Sequence, residues 1–332
     1  MQQLPKLSSN TIKTLKKGKN LLAYSAGSDS NALFFILQAY GIEFDLAIVN
    51  YKTRDKSDEE ESYAKELAKR FGKICYSFTC KLQESNFEHN ARVERYKFFS
   101  KTIKENSYTT LLTAHHLNDK LEWFLMQLSK GSGLNEMFGM SETEERENYK
   151  IVRPLLHVSK DEILEFLKTN EIFYFQDSSN FDEKYLRNKL RFKFANPFIK
   201  EYKNGVKKSF EYLAKDVSEL RDFKIKKIKE LYIIQKDSSD LKNIRAIDKV
   251  LKELGVLLTS KSREEILRTE NCVISHKIAV IFNDDLIFVA PYIKTVMPKS
   301  FKEECRKKKI PPKIRGYIYQ SNLLDYFSDF SL

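Results

Sequence analysis

A run of small and hydroxyl-bearing residues lies between an apolar segment and a helical pattern near the start of the chain, Ser25-Ala26-Gly27-Ser28-Asp29-Ser30. Small side chains let backbone N–H groups approach an anion, the hydroxyls add donors, and the following helix N-terminus supplies positive potential. The run lacks the Gly-Lys-Ser/Thr of a Walker loop and the G-x-G-x-x-G of a dinucleotide-binding turn. We interpret it as a pyrophosphate-binding loop. The alternative is an ordinary strand-to-helix turn with a serine as N-cap.

The same run contains one carboxylate, Asp29, which would repel a bare phosphate group. A cation between the two groups removes this repulsion, and Mg²⁺ is a hard cation that prefers oxygen ligands. We therefore assign Asp29 to magnesium coordination.

Two carboxylates further along the chain are spaced to bind one cationic ligand. A helix places Asp119 and Glu122 on the same face, because they stand at positions i and i+3. A solvated acidic pair is the alternative, although His115 and His116 precede the pair at the end of a strand-like run. His115 is a candidate for contact with a phosphate or for proton transfer, with a structural role as its alternative. A zinc site is not expected, since no further His or Cys stands at ligand spacing.

Basic residues supply the positive charge that phosphate chemistry needs. Arg92 and Arg95 share a helix face and can stabilise a phosphoryl centre. Arg187 and Arg191 belong to a basic cluster that suits RNA phosphates, and a solvated face is the alternative for each of its residues.

The elements that must position these residues alternate between strand and helix in the first part of the chain. Near-continuous apolar strands taking turns with helices predict an α/β fold, with a parallel sheet covered by helices on both faces. Such sheets bind ligands at the carboxyl ends of their strands, where the loop at 25–30, Asn50 and His115 all fall. The predicted strands are 20–25, 44–50, 74–78 and 109–114, and the predicted helices are 32–40, 57–71, 87–105 and 159–169.

The character of the sequence changes near Ala195, where long, lysine-rich helical patterns begin. Residues 224–234 are basic and amphipathic, and short strand-like runs follow at 277–282 and 286–290. We therefore predict a catalytic domain over residues 1–195, followed by a helical region and a small mixed α/β domain over residues 196–332 that binds RNA.

Composition limits the class of protein. The 332 residues carry a formal charge of +12, which favours a polyanionic partner, with a solvated surface as the alternative. The four cysteines show no C-x-x-C spacing, which is typical of a reducing compartment. The sequence shows neither an apolar leader nor a long uncharged apolar run, so we expect a cytoplasmic protein without a membrane span.

The loop resembles the Ser-Gly-Gly-x-Asp-Ser signature of the PP-loop ATP pyrophosphatase superfamily, and downstream motifs are similar to those of tRNA(Ile)-lysidine synthetases. The matching segments, in order, are Glu88-His89-Asn90-Ala91-Arg92-Val93-Glu94-Arg95-Tyr96, Ala114-His115-His116-Leu117-Asn118-Asp119-Lys120-Leu121-Glu122, Lys130-Gly131-Ser132-Gly133, Arg153-Pro154-Leu155-Leu156, Asp177-Ser178-Ser179-Asn180 and Arg187-Asn188-x-x-Arg191. With the loop they cover residues 25 to 191, and Ile310-Pro311-Pro312-x-x-Arg315 is similar to the closing segment of the family.

This resemblance implies a PP-loop fold and an ATP-dependent ligase. The family attaches free L-lysine to C2 of the wobble cytidine of an isoleucine tRNA with a CAU anticodon, so that the tRNA reads AUA codons. ATP first adenylates the cytosine, with release of pyrophosphate, and the lysine amine then displaces AMP. Carried over to this chain, the implied residues are Ser25 to Ser30 and Asn50 for ATP, Asp29 for Mg²⁺, Asp29, Arg92, Arg95 and His115 for catalysis, Asp119 and Glu122 for lysine, and Arg187, Asn188 and Arg191 for tRNA.

The chain departs from the family at several positions. Ala26 replaces the first glycine of the loop, and its methyl group costs about 1 kcal/mol if the position needs a positive φ. Tyr51 replaces a histidine, and Asn118, Lys120 and Trp123 replace an acid, a glutamine and a threonine. These changes bear on lysine recognition more than on ATP use.

Two other functions are compatible with the fold. A tRNA thiolase would need paired reactive cysteines near the ATP, and Cys75 and Cys80 lack that spacing beside His115. A basic RNA-binding module without catalysis would explain Ala26, but the retained Asp29 and Asp119 argue against such decay. The oligomeric state stays open between monomer and homodimer.

Overall fold

The computed structural model describes residues 1–52, 56–80, 87–176 and 186–327, apart from the side chain of Glu88. The motif at 177–180 therefore lies outside the described residues. The chain divides into two compact units, Met1–Ala214 and Lys215–Leu332. This division falls later in the chain than the boundary predicted after residue 195, which stays a prediction.

The first unit contains a six-stranded sheet with the strand order β3-β2-β1-β4-β6-β5. Its strands are β1 (Asn20–Tyr24), β2 (Phe44–Asn50), β3 (Cys75–Thr79), β4 (Thr110–Leu112), β5 (Thr143–Glu145) and β6 (Lys150–Val152). All pairings are parallel except that of the edge strand β5 with β6. The sheet confirms the predicted parallel α/β architecture.

Helices cover both faces of this sheet. Neighbouring residues of a strand point to opposite faces, so each strand contributes side chains to two cores. Leu22 packs in one core with the helices at Ser28–Ala39, Ser57–Arg70 and Lys160–Thr169. Leu21 packs in another core with Phe99 and Ile103. The helices of the unit are α1 (Ser9–Lys17), α2 (Ser28–Ala39), α3 (Ser57–Arg70), α4 (Phe87–Glu105), α5 (Leu117–Leu128), α6 (Leu134–Met137), α7 (Lys160–Thr169), α8 (Leu186–Leu190), a π-helix (Arg191–Ala195) and the start of α9 (Asn196–Leu220).

Local capping fixes the helices that border the strand ends. The imidazole of His116 accepts a hydrogen bond from Asp119 N while the Asp119 carboxylate accepts from His116 N, so this capping box starts α5 directly after β4. Ser159 and Glu162 form a second capping box at the start of α7. Both helices therefore begin at fixed residues near the carboxyl edge of the sheet.

The second unit contains an antiparallel sheet with the order β7-β8-β11-β10-β9. The basic, amphipathic segment 224–234 contributes the hairpin of β7 and β8. Apolar clusters lie on both faces of the sheet, one with α10 and α11 and the other with the C-terminal helices. The elements are β7 (Ile225–Ile228), β8 (Leu231–Gln235), α10 (Asp240–Glu253), α11 (Ser260–Thr269), β9 (Asn271–Ile274), β10 (Ile278–Phe282), β11 (Leu286–Pro291), α12 (Lys299–Lys307), α13 (Arg315–Gln320) and 3₁₀ turns at Pro312–Ile314 and Leu324–Phe327.

Across the part of the chain that the structure describes, we find no helix with the length and apolar character that a membrane span requires.

Candidate active site

The loop between β1 and α2 is closed by its own hydrogen bonds. Ser25 N donates to Ser30 Oγ at 3.2 Å, and Ser30 Oγ donates to Gly27 O at 3.2 Å. Gly27 is the N-cap of α2, and no described side chain caps this end of the helix. The first amide groups of α2 are thus left without a side-chain partner, as an anion-binding helix end requires.

Ala26 adopts the left-handed conformation that its place in the loop requires. Its φ is +58° and its side chain is fully buried. Its carbonyl accepts hydrogen bonds from Phe175 N and from Asn31 Nδ2, both at 3.0 Å. An alanine in this region costs about 1–2 kcal/mol, and these two contacts help to hold it there.

Asp29 stands in the first turn of α2 and is paired with a lysine from α7. Lys160 Nζ lies 2.5 Å from Asp29 Oδ1 and 2.7 Å from Ser28 Oγ. Both side chains remain partly exposed, Asp29 at 34% and Lys160 at 27%. The loop therefore carries a cation within reach of any phosphate group that it binds.

Sequence reasoning missed Lys160, because its contact with Asp29 joins residues 131 positions apart. One local signal pointed to it. A lysine at the first position of a helix opposes the helix dipole, so its presence directly after the N-cap Ser159 needs another reason.

The two histidines after β4 differ in role. His116 is buried and its Nε2 lies 3.7 Å from Asp29 Oδ2 and 3.5 Å from Asp119 Oδ2, so it links the loop to α5. His115 Nδ1 is 2.9 Å from Thr113 Oγ1. Burial lowers the pKa of His115 to about 4, and the positive charge of Arg153 and Arg187 also lowers it, against the opposing effect of Asp119. The His115 ring is therefore uncharged at neutral pH.

Asp119 and Glu122 lie together on α5 as predicted, but two arginines already contact both. Arg187 Nη2 is 2.9 Å from Asp119 Oδ1, and Arg187 Nε is 3.0 Å from Glu122 Oε2. Arg191 donates to Glu122 through Nε at 2.6 Å and Nη2 at 3.1 Å. Burial raises the pKa of Asp119, but His116, His115 and Arg187 outweigh burial and hold that pKa below its usual range. The residues assigned from sequence to lysine and to tRNA thus form one ionic cluster.

The remaining sequence-predicted residues have other partners. Asn50 is buried at the end of β2, and its Nδ2 donates to Asp58 Oδ1 at 2.7 Å and Glu61 Oε2 at 2.9 Å. Arg95 Nε donates to the Tyr51 hydroxyl at 3.1 Å, while Arg92 lies over the ring of Tyr96. Within the described ranges, neither Arg92 nor Arg95 makes a hydrogen bond or an ion pair with the loop. Asn188 lies on α8 between the two arginines of the ionic cluster.

The loop suits one magnesium ion shared with a nucleotide. Magnesium is commonly held by one or two carboxylates together with substrate phosphates, and Asp29 provides a carboxylate at the helix end. No cluster of three or more His, Cys, Asp or Glu suited to a metal occurs in the described ranges. The single carboxylate of Asp29 fits a metal that is also bound by phosphate oxygens.

The chain is similar to known proteins over almost its whole length. A model of the PP-loop domain matches residues 2–197. A tRNA(Ile)-lysidine synthase of Campylobacter jejuni strain RM1221 is 49% identical over 311 residues, which cover 93% of this chain and 95% of that protein. Those of Wolinella succinogenes and Helicobacter pylori strain 26695 are 41% and 38% identical, and the matches cover 93% and 96% of this chain and 95% of each relative. The chain belongs to the tRNA(Ile)-lysidine synthase family.

Membership in the tRNA(Ile)-lysidine synthase family makes the chain an enzyme, and its PP-loop domain implies that it uses ATP. A solved U34-tRNA thiolase, NcsA of Methanococcus maripaludis with its [4Fe-4S] cluster, has a TM-score of 0.50 and 16% identity, with 62% of this chain and 77% of that chain covered. At that identity the likeness confirms the fold alone.

Two departures from the tRNA(Ile)-lysidine synthase pattern have a structural explanation. Asn118 joins three helices, because its Nδ2 donates to Asn196 Oδ1 at 2.8 Å and its Oδ1 accepts from Lys160 N at 3.0 Å. Lys120 is buried, with its Nζ 4.5 Å and 4.6 Å from the ring centroids of Phe138 and Phe210. Lys120 therefore lies among aromatic rings and does not reach solvent.

Proposed function

We propose that the chain joins L-lysine to C2 of the wobble cytidine of a CAU-anticodon isoleucine tRNA, forms lysidine through an adenylated tRNA, and releases AMP and pyrophosphate. The modified tRNA then reads AUA codons. The observation that carries this proposal is the position of His116, whose ring approaches both Asp29 of the phosphate loop and Asp119 of the carboxylate pair. An ATP-binding loop beside a site for a cationic amine is what lysidine formation needs.

In the first step the cytosine O2 attacks the α-phosphorus of ATP, and pyrophosphate leaves with the electrons of the broken P–O bond. Residues Ser25 to Ser30 hold the phosphates through backbone amide groups and hydroxyls, and Asn50 belongs to the same nucleotide site. Asp29 would hold Mg²⁺, which would supply neutralising charge to the phosphate oxygens. Lys160 adds a positive charge to the loop, and Arg92 and Arg95 are proposed to act on the phosphoryl group.

His115 acts in this step as a hydrogen-bonding group. Its lowered pKa leaves the ring uncharged at neutral pH. The ring therefore forms a hydrogen bond with a phosphate oxygen or transfers a proton, without adding net charge. This supports a positioning role near the α-phosphate in place of a purely electrostatic one.

In the second step the lysine amine attacks C2, the C2–O bond breaks, AMP leaves with its electrons, and the amine loses a proton. Asp119 and Glu122 are proposed to bind the cationic amino acid. Arg187, Asn188 and Arg191 are proposed to contact the tRNA, and the lysine-rich C-terminal region supplies further phosphate contacts. The cytoplasm is the proposed location, since ATP and tRNA are used together.

Sulfur transfer, the other candidate for a PP-loop enzyme, lacks support from the thiols. Burial raises the pKa of Cys75 to about 11, so this thiol is protonated at neutral pH and is a poor nucleophile.

Mass analysis of tRNA tests the proposal. Purified protein incubated with ATP, Mg²⁺, L-lysine and CAU-anticodon isoleucine tRNA should convert the wobble cytidine into its lysine adduct. The Asp29→Asn variant, which keeps the size of the side chain, should bind tRNA and form no adduct. An unmodified tRNA with the unaltered protein, under conditions in which ATP and tRNA both bind, would contradict the proposal.

A further inference from the structure

The carboxylates proposed to bind lysine are already paired with guanidinium groups of the protein itself. Arg187 contacts both Asp119 and Glu122, at 2.9 Å and 3.0 Å. Arg191 holds Glu122 at 2.6 Å and lies 3.7 Å from Asp119. A lysine ammonium group that approaches this pair meets positive charge that is already in place.

Charge balance sets the condition for lysine to enter. The cluster contains two guanidinium groups and two carboxylates, and the Glu122 side chain is 0% exposed while that of Asp119 is 11% exposed. Both carboxylates are already paired, so a lysine ammonium group would find no free carboxylate in this pair, and a buried unpaired charge is strongly unfavourable. One guanidinium group must therefore leave the carboxylates when lysine binds.

The geometry identifies which guanidinium group leaves. Arg191 makes a two-point fork on Glu122 and its side chain is 22% exposed. Arg187 divides its contacts between the two carboxylates and its side chain is 47% exposed. Arg187 also lies on α8, a helix of five residues, whereas Arg191 begins the π-helix that runs directly into α9. Arg187 can withdraw toward solvent while Arg191 keeps Glu122 paired.

We propose that Arg187 is an internal competitor of lysine, which yields Asp119 to the substrate ammonium group when its own guanidinium group takes a phosphate of the RNA. Guanidinium groups bind phosphate in the same two-point manner as carboxylate. The proposal rests on the proposed function and adds a rule to it, namely that RNA and lysine bind cooperatively. By thermodynamic linkage each then raises the affinity for the other by the same factor.

Equilibrium dialysis with radiolabelled L-lysine tests this inference on the full chain without ATP, so that no turnover occurs. The unaltered protein should bind lysine weakly alone, and at least tenfold more tightly with saturating CAU-anticodon isoleucine tRNA. Arg187→Ala should bind lysine at least tenfold more tightly than the unaltered protein when RNA is absent, and added RNA should change its lysine affinity little. Arg146→Ala is the matched control, because Arg146 is 48% exposed and paired with Glu144 outside the cluster; it should behave like the unaltered protein.

An equal or weaker lysine affinity of Arg187→Ala without RNA would overturn the inference and make Arg187 part of the lysine site. Circular dichroism checks that the variant is folded, and Arg187→Gln provides a second neutral side chain if it is not. Failure of the proposed function looks different, since the unaltered protein would then form no lysine adduct on tRNA. A protein that forms the adduct but shows no effect of Arg187→Ala loses this inference alone.

Discussion

Lys160 brings an ammonium group to the phosphate loop from a helix far away in sequence. It bridges Ser28 and Asp29. In the proposed function it is therefore both a counter-ion of the carboxylate assigned to Mg²⁺ and a cation next to the nucleotide phosphates. In these two roles Lys160 should strengthen the binding of ATP and weaken the binding of Mg²⁺.

Replacing Lys160 with methionine should weaken ATP binding about tenfold, the effect of about 1.4 kcal/mol of lost phosphate contact. The same change should strengthen Mg²⁺ binding, because the ammonium group no longer competes for Asp29. Calorimetric titration with ATP and with Mg²⁺ separately measures both constants. Lys168→Met, at the other end of α7, is the control, and equal ATP affinity of the two variants would contradict the role of Lys160.

His115 gives the protein a specific dependence on pH. The unfolded chain protonates this residue near pH 6.5, but the folded protein does so only near pH 4. Between these values the unfolded state binds more protons, so stability falls as the pH drops from 6.5 to 4.

His115→Asn should remove this loss, which amounts to at most about 3 kcal/mol. Urea unfolding at pH 7 and at pH 4.5 measures it as a smaller difference between the two pH values in the variant. If both proteins lose the same stability over this range, the imidazole is not the group responsible.

Residue types and spacing predicted the site as a set of parts but not its internal pairing. The i and i+3 spacing correctly placed Asp119 and Glu122 on one helical face, and the loop was recognised from Ser25 to Ser30. The contacts of Glu122 with Arg187 and Arg191 join residues 65 and 69 positions apart. Periodicity carries no information at that separation, so the ionic cluster appeared only in three dimensions.

Among the elements, α5 carries the two carboxylates proposed to bind lysine on one face and packs against aromatic rings with another. Asp119 and Glu122 face the arginines, whereas Lys120 points into the rings of Phe138 and Phe210. Burial lowers the pKa of Lys120 to about 8 from its ordinary 10.5, while Glu142 acts in the opposite direction. The helix thus buries a charge that its aromatic neighbours compensate in part.

Lys120→Met should raise the free energy of unfolding at pH 7 by about 1 kcal/mol. The variant no longer has the cost of burying a charge, and this gain exceeds the loss of the cation–π contacts. In the unaltered protein, stability should rise between pH 8 and 10.5, because only the unfolded state keeps the proton there. That rise should be absent in the variant. Lys104→Met, at an exposed position of α4, is the control. A destabilised Lys120→Met would show that the ring contacts dominate.

Element boundaries were predictable where an apolar pattern ends at a clear polar signal. The bounds of β2 and α4 agree with the prediction. The start of α2 was predicted at Ala32 but lies at Ser28, because the polar residues of the loop form the first helical turn after Gly27. The antiparallel edge strand β5 was not predicted. Its residues 143–145 are polar and show no hydrophobic pattern, and the strand is defined by its backbone pairing with β6.

At the scale of the whole molecule, the charge of +12 predicts salt-sensitive association with RNA. Lys189 on α8 and Lys200 on α9 are exposed lysines of the first unit near the proposed tRNA-binding residues. The sequence indicates the total charge, but only the fold shows which lysines pair with a carboxylate, as Lys203 and Lys207 do with Glu162.

The double variant Lys189→Ala, Lys200→Ala should weaken tRNA binding at low salt and lower the slope of log K against log salt by about 1 to 2. Filter binding at several salt concentrations measures the slope. Lys13→Ala, an exposed lysine on α1, should leave it unchanged. An unchanged slope for the double variant would assign both lysines to a solvated surface.

The phosphate loop has a second support that joins it to a distant part of the chain. Gly27 forms a parallel bridge with Phe175, and Phe175 N donates to Ala26 O. Local unfolding of this one pairing would release the Ala26 carbonyl and expose the loop that we propose to hold the nucleotide. Hydrogen exchange of the Phe175 amide would then report how often that loop opens.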